Sequence, residues 1–140
     1  MKDKLLYQLR IDLDEHAAKY LISNKALNSC KSLLKVIEKE NAKLVCQYEA
    51  FKMFVEECQK NNLIHTPLYK WTKDTIENKL KKKKYMKSFT VYVNDEQLYE
   101  KNIAERIEKK ILSLRCSCIL KVNKYNSDPK NNPQPPKKYL

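Results

Sequence analysis

A chain of 140 residues with 42% hydrophobic residues fits one ordinary domain, or a helical segment joined to a very small second one, and excludes wholesale disorder. Its formal net charge of +12, from 29 Lys and Arg against 17 Asp and Glu, suits phosphates, anionic lipid or acidic proteins as partners. The absence of Gly excludes the dinucleotide fingerprint and the Walker loop, and tight turns that need a positive φ are expected to use Asn or Asp or to be avoided.

Taken in chain order, Lys2 to Arg10 reads as a short helix with Leu5, Leu6 and Leu9 on one face. Asp12 followed by Glu15 matches a capping box and predicts a helix starting near Leu13. From Leu27 to Cys58 the residues Leu27, Cys30, Leu34, Ile37, Asn41, Leu44, Tyr48, Phe51, Val55 and Cys58 recur at alternating spacings of three and four. That is a heptad repeat, with Asn41 at an a-type position where a lone Asn fixes register between paired helices. Leu33, Val36, Val45 and Phe54 lie off the seam and widen the apolar face. Self-association through this helix and packing inside an intramolecular bundle therefore both stay open.

Asn61-Asn62 ends the helix, and Thr66-Pro67 starts another with Thr66 as N-cap and Pro67 at the first helical position. The tract Lys81 to Lys84 follows. Ser88 to Val93, β-branched and aromatic, reads as a strand. Asn94, with Gln97 at the capping-box position, is expected to cap a helix that buries Leu98, Ile103, Ile107, Ile111 and Leu114. Cys116 to Val122 alternates as a second strand, giving a β-α-β unit that would pair its two strands in parallel. The expected architecture is α+β and predominantly helical. A heptad-patterned helical region or bundle occupies 1–62, a basic helix with the small β-α-β unit 63–125, and a Pro/Asn-rich disordered tail 126–140.

The charge is concentrated. Residues 61–87 hold eight Lys against two acidic residues, half of the net excess, whereas residues 1–60 net only +2. A merely solubilising surface mixes signs more evenly, so this segment points to an anionic partner. The candidate phosphate contacts are Lys70, Lys73, Lys79, Lys81, Lys82, Lys83, Lys84 and Lys87. Helix, turn, helix, basic tract and strand also follow the order of a helix-turn-helix with a wing, with Trp71 as core. The bland reading is a solvated Lys-rich face in a chain whose Lys and Asn usage fits AT-rich coding.

Other chemistries have little support. Cys116 and Cys118 are one residue apart, the other three cysteines are distant, and neither His16 nor His65 has a zinc-ligand pair, so no metal or cofactor is expected. The Glu residues of the heptad segment interleave with Lys as surface pairs, and no nucleophile stands beside a base, so an enzyme acting on a small molecule is not expected. The odd cysteine count, the charged N-terminus and the lack of a long apolar run predict reduced thiols in an intracellular protein, nuclear or cytoplasmic, with no membrane partner. Two functions follow. One is a non-enzymatic nucleic-acid-binding protein, DNA or RNA, contacting phosphate through the lysines above. The alternative is a scaffold subunit joining a protein partner, or itself as a homodimer, through Leu27, Leu34, Ile37, Asn41, Leu44, Tyr48, Phe51 and Val55.

Overall fold

The computed structural model describes residues 5–23, 30–127 and 136–139. Among them the chain is mixed α+β, with six helices and one four-stranded antiparallel sheet. In order, the elements are β1 (Tyr7–Leu13), α1 (Glu15–Ile22), α2 (Lys31–Lys39), β2 (Ala42–Cys46), α3 (Gln47–Lys60), α4 (Pro67–Glu77), α5 (Lys79–Tyr85), β3 (Ser88–Val93), α6 (Lys101–Ser113) and β4 (Ile119–Asn126). A 3-10 turn, Lys137–Tyr139, lies against α4, where the Tyr139 hydroxyl donates to Asp74 Oδ2 at 2.6 Å.

The sheet order is β2-β3-β1-β4. With every neighbouring pair antiparallel, β1 and β2 run the same way with β3 between them, and β3 and β4 run the same way with β1 between them. This is a doubled split β-α-β arrangement. Alternation along β1 sets the layers: Leu9, Ile11 and Leu13 are fully buried, while Arg10 and Asp12 point to the opposite face. The buried face continues through Phe89, Val91 and Val93 on β3, and meets Ala17 and Ala18 of α1, Leu33 and Ile37 of α2, and Ala104, Ile107 and Ile111 of α6. Helices α3 to α5 connect β2 to β3 along the chain, and α3 and α4 close on a smaller core of Val55, Cys58 and Tyr69.

Tyr99 locks the centre of the sheet. Its hydroxyl accepts from Leu9 N and donates to Val91 O, both at 2.8 Å, so the phenol bridges residues that are opposite one another on β1 and β3. Across the helical layer, Glu40 at the end of α2 accepts from Arg106 Nη2 and Lys110 Nζ of α6, each at 2.7 Å.

Several expectations are corrected. Residues 7–13 form a strand, since Leu9, Ile11 and Leu13 alternate with period two; the expected N-terminal helix does not occur there. The cap is Asp14, whose Oδ1 accepts from Ala17 N at 2.7 Å, while Asp12 lies in β1. The heptad helix is not continuous. Asn41 turns left-handed with φ 53°, and Ala42–Cys46 leaves as β2, separating α2 from α3. Among the described residues of 1–62 the chain forms two strands and three helices rather than a helical bundle.

The cap proposed at Asn94 is instead a hairpin turn. Asn94 and Asp95 both have positive φ, and Val93 and Glu96 exchange backbone hydrogen bonds at 2.9 Å. Two left-handed residues in a two-residue loop normally call for Gly, and Asn-Asp is the best substitute in a chain without it. Helix α6 starts six residues later than expected, after Glu100. Strand, helix and strand follow in this order, but the second strand is Ile119–Asn126 rather than Cys116 to Val122, and β1 lies between β3 and β4, so the two do not pair directly. The expected tail begins too early: Asn126 still pairs with Tyr7. Residues 128–135, which include most of the Pro-rich segment, lie outside the described residues.

Candidate nucleic-acid interface

The basic segment is built on local signals. Thr66 accepts from Tyr69 N at 3.3 Å and Pro67 occupies the first turn, which starts α4 as expected. Tyr69, Thr72 and Thr75 are buried on one side of α4, leaving Lys70 exposed and Lys73 half-buried. At Asn78 the chain bends to an extended φ/ψ of −82°/118°, and the Asn78 side chain accepts from Lys81 N, ending α4 and capping α5 together. Three lysines, Lys82, Lys83 and Lys84, occupy the last turn of α5, where the helix dipole favours cations and offsets their mutual repulsion.

On α5, Lys79, Lys81, Lys82, Lys83 and Lys84 are all exposed, and Lys87 is half-buried in the turn before β3. Lys82 Nζ lies 5.3 Å from the Tyr48 ring centroid and Lys84 Nζ 5.2 Å from that of Tyr85. Among the described residues, the salt bridges take their cations from Lys19, Lys43, Lys101, Arg106, Lys110 and Lys124, and from none of the eight candidate lysines. Ion pairs among the described residues thus do not offset the positive charge of this segment. The wing of the expected pattern is not there: the tract is itself helical, and the strand after it, β3, is central in the sheet.

Beside α5 the helices lean over the second face of the sheet and leave an open cleft of about 190 Å³. Arg10 rises into it from β1, Gln47 and Phe51 come from α3, Leu68, Trp71, Thr72 and Thr75 from α4, and Tyr85 from the end of α5. Phe51 and Tyr85 pack edge to face, with ring centroids 5.1 Å apart. Arg10 Nε donates to Gln8 Oε1 at 2.9 Å, and the guanidinium lies 4.7 Å from the Tyr125 ring centroid on β4. Trp71, expected in the core, is a half-buried wall of this cleft. Arg10, Gln47 and Tyr125 escape the sequence reading. Their one local signal is the Gln8, Arg10, Asp12 alternation opposite Leu9, Ile11 and Leu13.

The interaction set is not brought together. Leu34 and Ile37 lie on α2, Asn41 in the turn, Leu44 on β2, and Tyr48, Phe51 and Val55 on α3. Leu27 lies outside the described residues. Ile37 is buried in the main core and Val55 in the smaller one, so neither is available to a partner helix.

Cys30, Cys46 and Cys58 are free thiols. Cys118 Sγ stands 3.1 Å from Cys30 and 2.9 Å from Cys116, and burial, with the two neighbouring thiols, pushes its pKa up, away from thiolate chemistry. Among the described residues no cluster of His, Cys, Asp or Glu is arranged to hold a metal ion, and no helix is long and apolar enough to cross a membrane. Comparison with protein-family models, with curated proteins and with solved structures finds no match.

Proposed function

We propose that the chain is a non-enzymatic nucleic-acid-binding protein that contacts the phosphate backbone through α4, α5 and the turn into β3. The observation that carries this reading is the uncompensated charge: eight lysines in residues 61–87, none of them in a salt bridge among the described residues. Exposed lysines act as point charges, so they position a backbone rather than read bases. Lys73 and Lys87, half-buried, border the patch, and the exposed lysines of α4 and α5 form its centre.

The test is binding to labelled DNA and RNA, single-stranded and duplex, across a salt series, with Lys81, Lys82, Lys83 and Lys84 all replaced by Gln in the comparison protein. Each phosphate contact contributes about 0.7 to the log–log salt slope on a single strand and about 0.9 on a duplex. Loss of four contacts is therefore expected to flatten the slope by about 3. Absence of binding at low salt, or an unchanged slope in the variant, refutes the reading.

A further inference from the structure

The cleft beside α5 combines features that a phosphate-positioning surface alone does not need. Its walls are aromatic and apolar, formed by Phe51, Trp71, Tyr85 and Leu68. Its polar groups are mostly committed in one sense. The Thr72 and Thr75 hydroxyls donate back to Leu68 O at 2.7 Å and Trp71 O at 2.9 Å, and so offer lone pairs toward the cleft. The Gln47 amide nitrogen donates to Ser88 Oγ at 2.6 Å, which leaves its carbonyl oxygen to accept. The one cation in the lining is Arg10; Nε is engaged by Gln8, and the Nη groups extend the donor fork. A ligand that fits must be flat and apolar on its faces, carry N–H donors at its edge and bear a negative charge.

We infer that this cleft takes one unpaired nucleotide of a bound single strand, its base between the aromatic walls and its phosphate toward Arg10. The inference rests on the nucleic-acid reading above and adds selectivity for single strand over duplex. The cleft, about 190 Å³ and open at its mouth, has room for one base with its sugar and phosphate outside, whereas a paired and stacked base cannot enter. Stacking on aromatic side chains is tolerant of base identity. Continuity supports the occupant: Tyr85 both lines the cleft and lies under Lys84, so a strand leaving the cleft meets the lysines of α5.

Trp71 is the chain's single tryptophan and stands in the cleft, so its emission reports occupancy directly. The experiment titrates the full chain with a short oligothymidylate, with a duplex of equal length and with inorganic phosphate, following Trp71 emission alongside the anisotropy of the labelled strand. The single strand is expected to change Trp71 emission, and the duplex and phosphate to leave it unchanged. Arg10→Gln is expected to weaken single-strand binding at least about tenfold while duplex affinity holds, with Arg10→Lys partly restoring it. Because Arg10 sits on a central strand, Leu68→Glu provides a second variant on the exposed rim of α4, where a carboxylate repels the phosphate without touching the sheet. Circular dichroism confirms that both variants fold. Single-strand binding with unchanged Trp71 emission, or an emission change that phosphate alone reproduces, overturns the cleft inference and leaves the lysine surface standing. If neither strand binds at low salt, both fall.

Discussion

Glu40 ties the helical layer together, and replacing it with Gln tests how much that tie contributes. Its side chain is only 6% exposed, whereas Arg106 and Lys110 are 52% and 50% exposed. Oε2 accepts from Arg106 Nη2 at 2.7 Å and Nε at 3.2 Å, and Oε1 accepts from Lys110 Nζ at 2.7 Å. Hydrogen bonds to a charged group contribute about 1.5–3 kcal/mol each when sheltered, and exposed ion pairs about 0–1 kcal/mol. With the carboxylate sheltered and both cations half in water, the expected loss for Glu40→Gln is about 1–2 kcal/mol at neutral pH. That corresponds to a fall in melting temperature of roughly 3–7 °C for a chain of this size. The hydrogen bonds from Arg106 and Lys110 hold the Glu40 pKa below its ordinary 4.5. A lowered folded-state pKa means that the stabilisation is fully present above about pH 4.5 and is lost as pH falls through the folded value. Urea unfolding of both proteins at neutral pH and at about pH 3 measures the gap directly. It should be wider at neutral pH than in acid. A gap that stays constant across that range, or none at neutral pH, refutes the reasoning. Nucleic-acid binding should not change, since α2 and α6 lie on the face of the sheet away from the cleft.

Tyr99→Phe removes a hydroxyl that satisfies both Leu9 N and Val91 O in the sheet centre, and it should cost about 1–3 kcal/mol in a thermal or urea melt. Burial raises the Tyr99 pKa from 10 to about 12, so its contribution is present below pH 10 and is lost as pH rises toward 12. The Phe variant should show a shallower loss of stability over that alkaline window. Arg115 follows α6 with φ 50°, the left-handed position that Gly commonly fills after a helix. Arg115→Gly should therefore raise stability by about 0.5–1 kcal/mol, and a lower melting temperature would count against strain at that residue.

Local signals were legible where a few adjacent residues decide the outcome. Thr66-Pro67 starts α4, Asn61 ends α3, and Ser88–Val93 forms β3, all as expected. The heptad reading failed for a physical reason. A short apolar run does not declare its period, and Leu44 serves a heptad seam and an alternating strand equally well. What decides is the partner: Ala42, Leu44 and Cys46 lie opposite Val93, Val91 and Phe89, residues almost fifty positions away. In the same way, Leu5, Leu6 and Leu9 suggest a helix until β3 and β4 claim both edges of β1. The lysines were legible as a charge cluster. The cleft was not, because Arg10, Gln47, Trp71 and Tyr85 meet only after β1, α3, α4 and α5 have assembled.

The topology sets the proposed interface apart from the sheet. β2 and β3 are antiparallel neighbours, with Cys46 opposite Phe89, and such strands need only a two-residue turn to connect them. Here the connection instead runs through α3, α4 and α5, which carry seven of the eight candidate lysines and most of the cleft lining. Sheet closure does not require these helices, and long connections of this kind on a rigid scaffold commonly carry function. Their core of Val55, Cys58 and Tyr69 is distinct from the main cluster around Leu9, Ile11 and Ile107. Replacing residues 47–87 with a short Asn-Gly turn should therefore leave a sheet domain that unfolds co-operatively, because the face it uncovers is mainly polar, with Gln8, Arg10, Asp12, Ser88 and Thr90 beside Val45, Tyr92 and Tyr125. Calorimetry checks the fold, and the single-strand titration checks the function, which should be lost. A shortened chain that still binds single strands with the full salt slope would move the interface off these helices and onto the sheet, to Lys43, Tyr92, Lys121 and Tyr125.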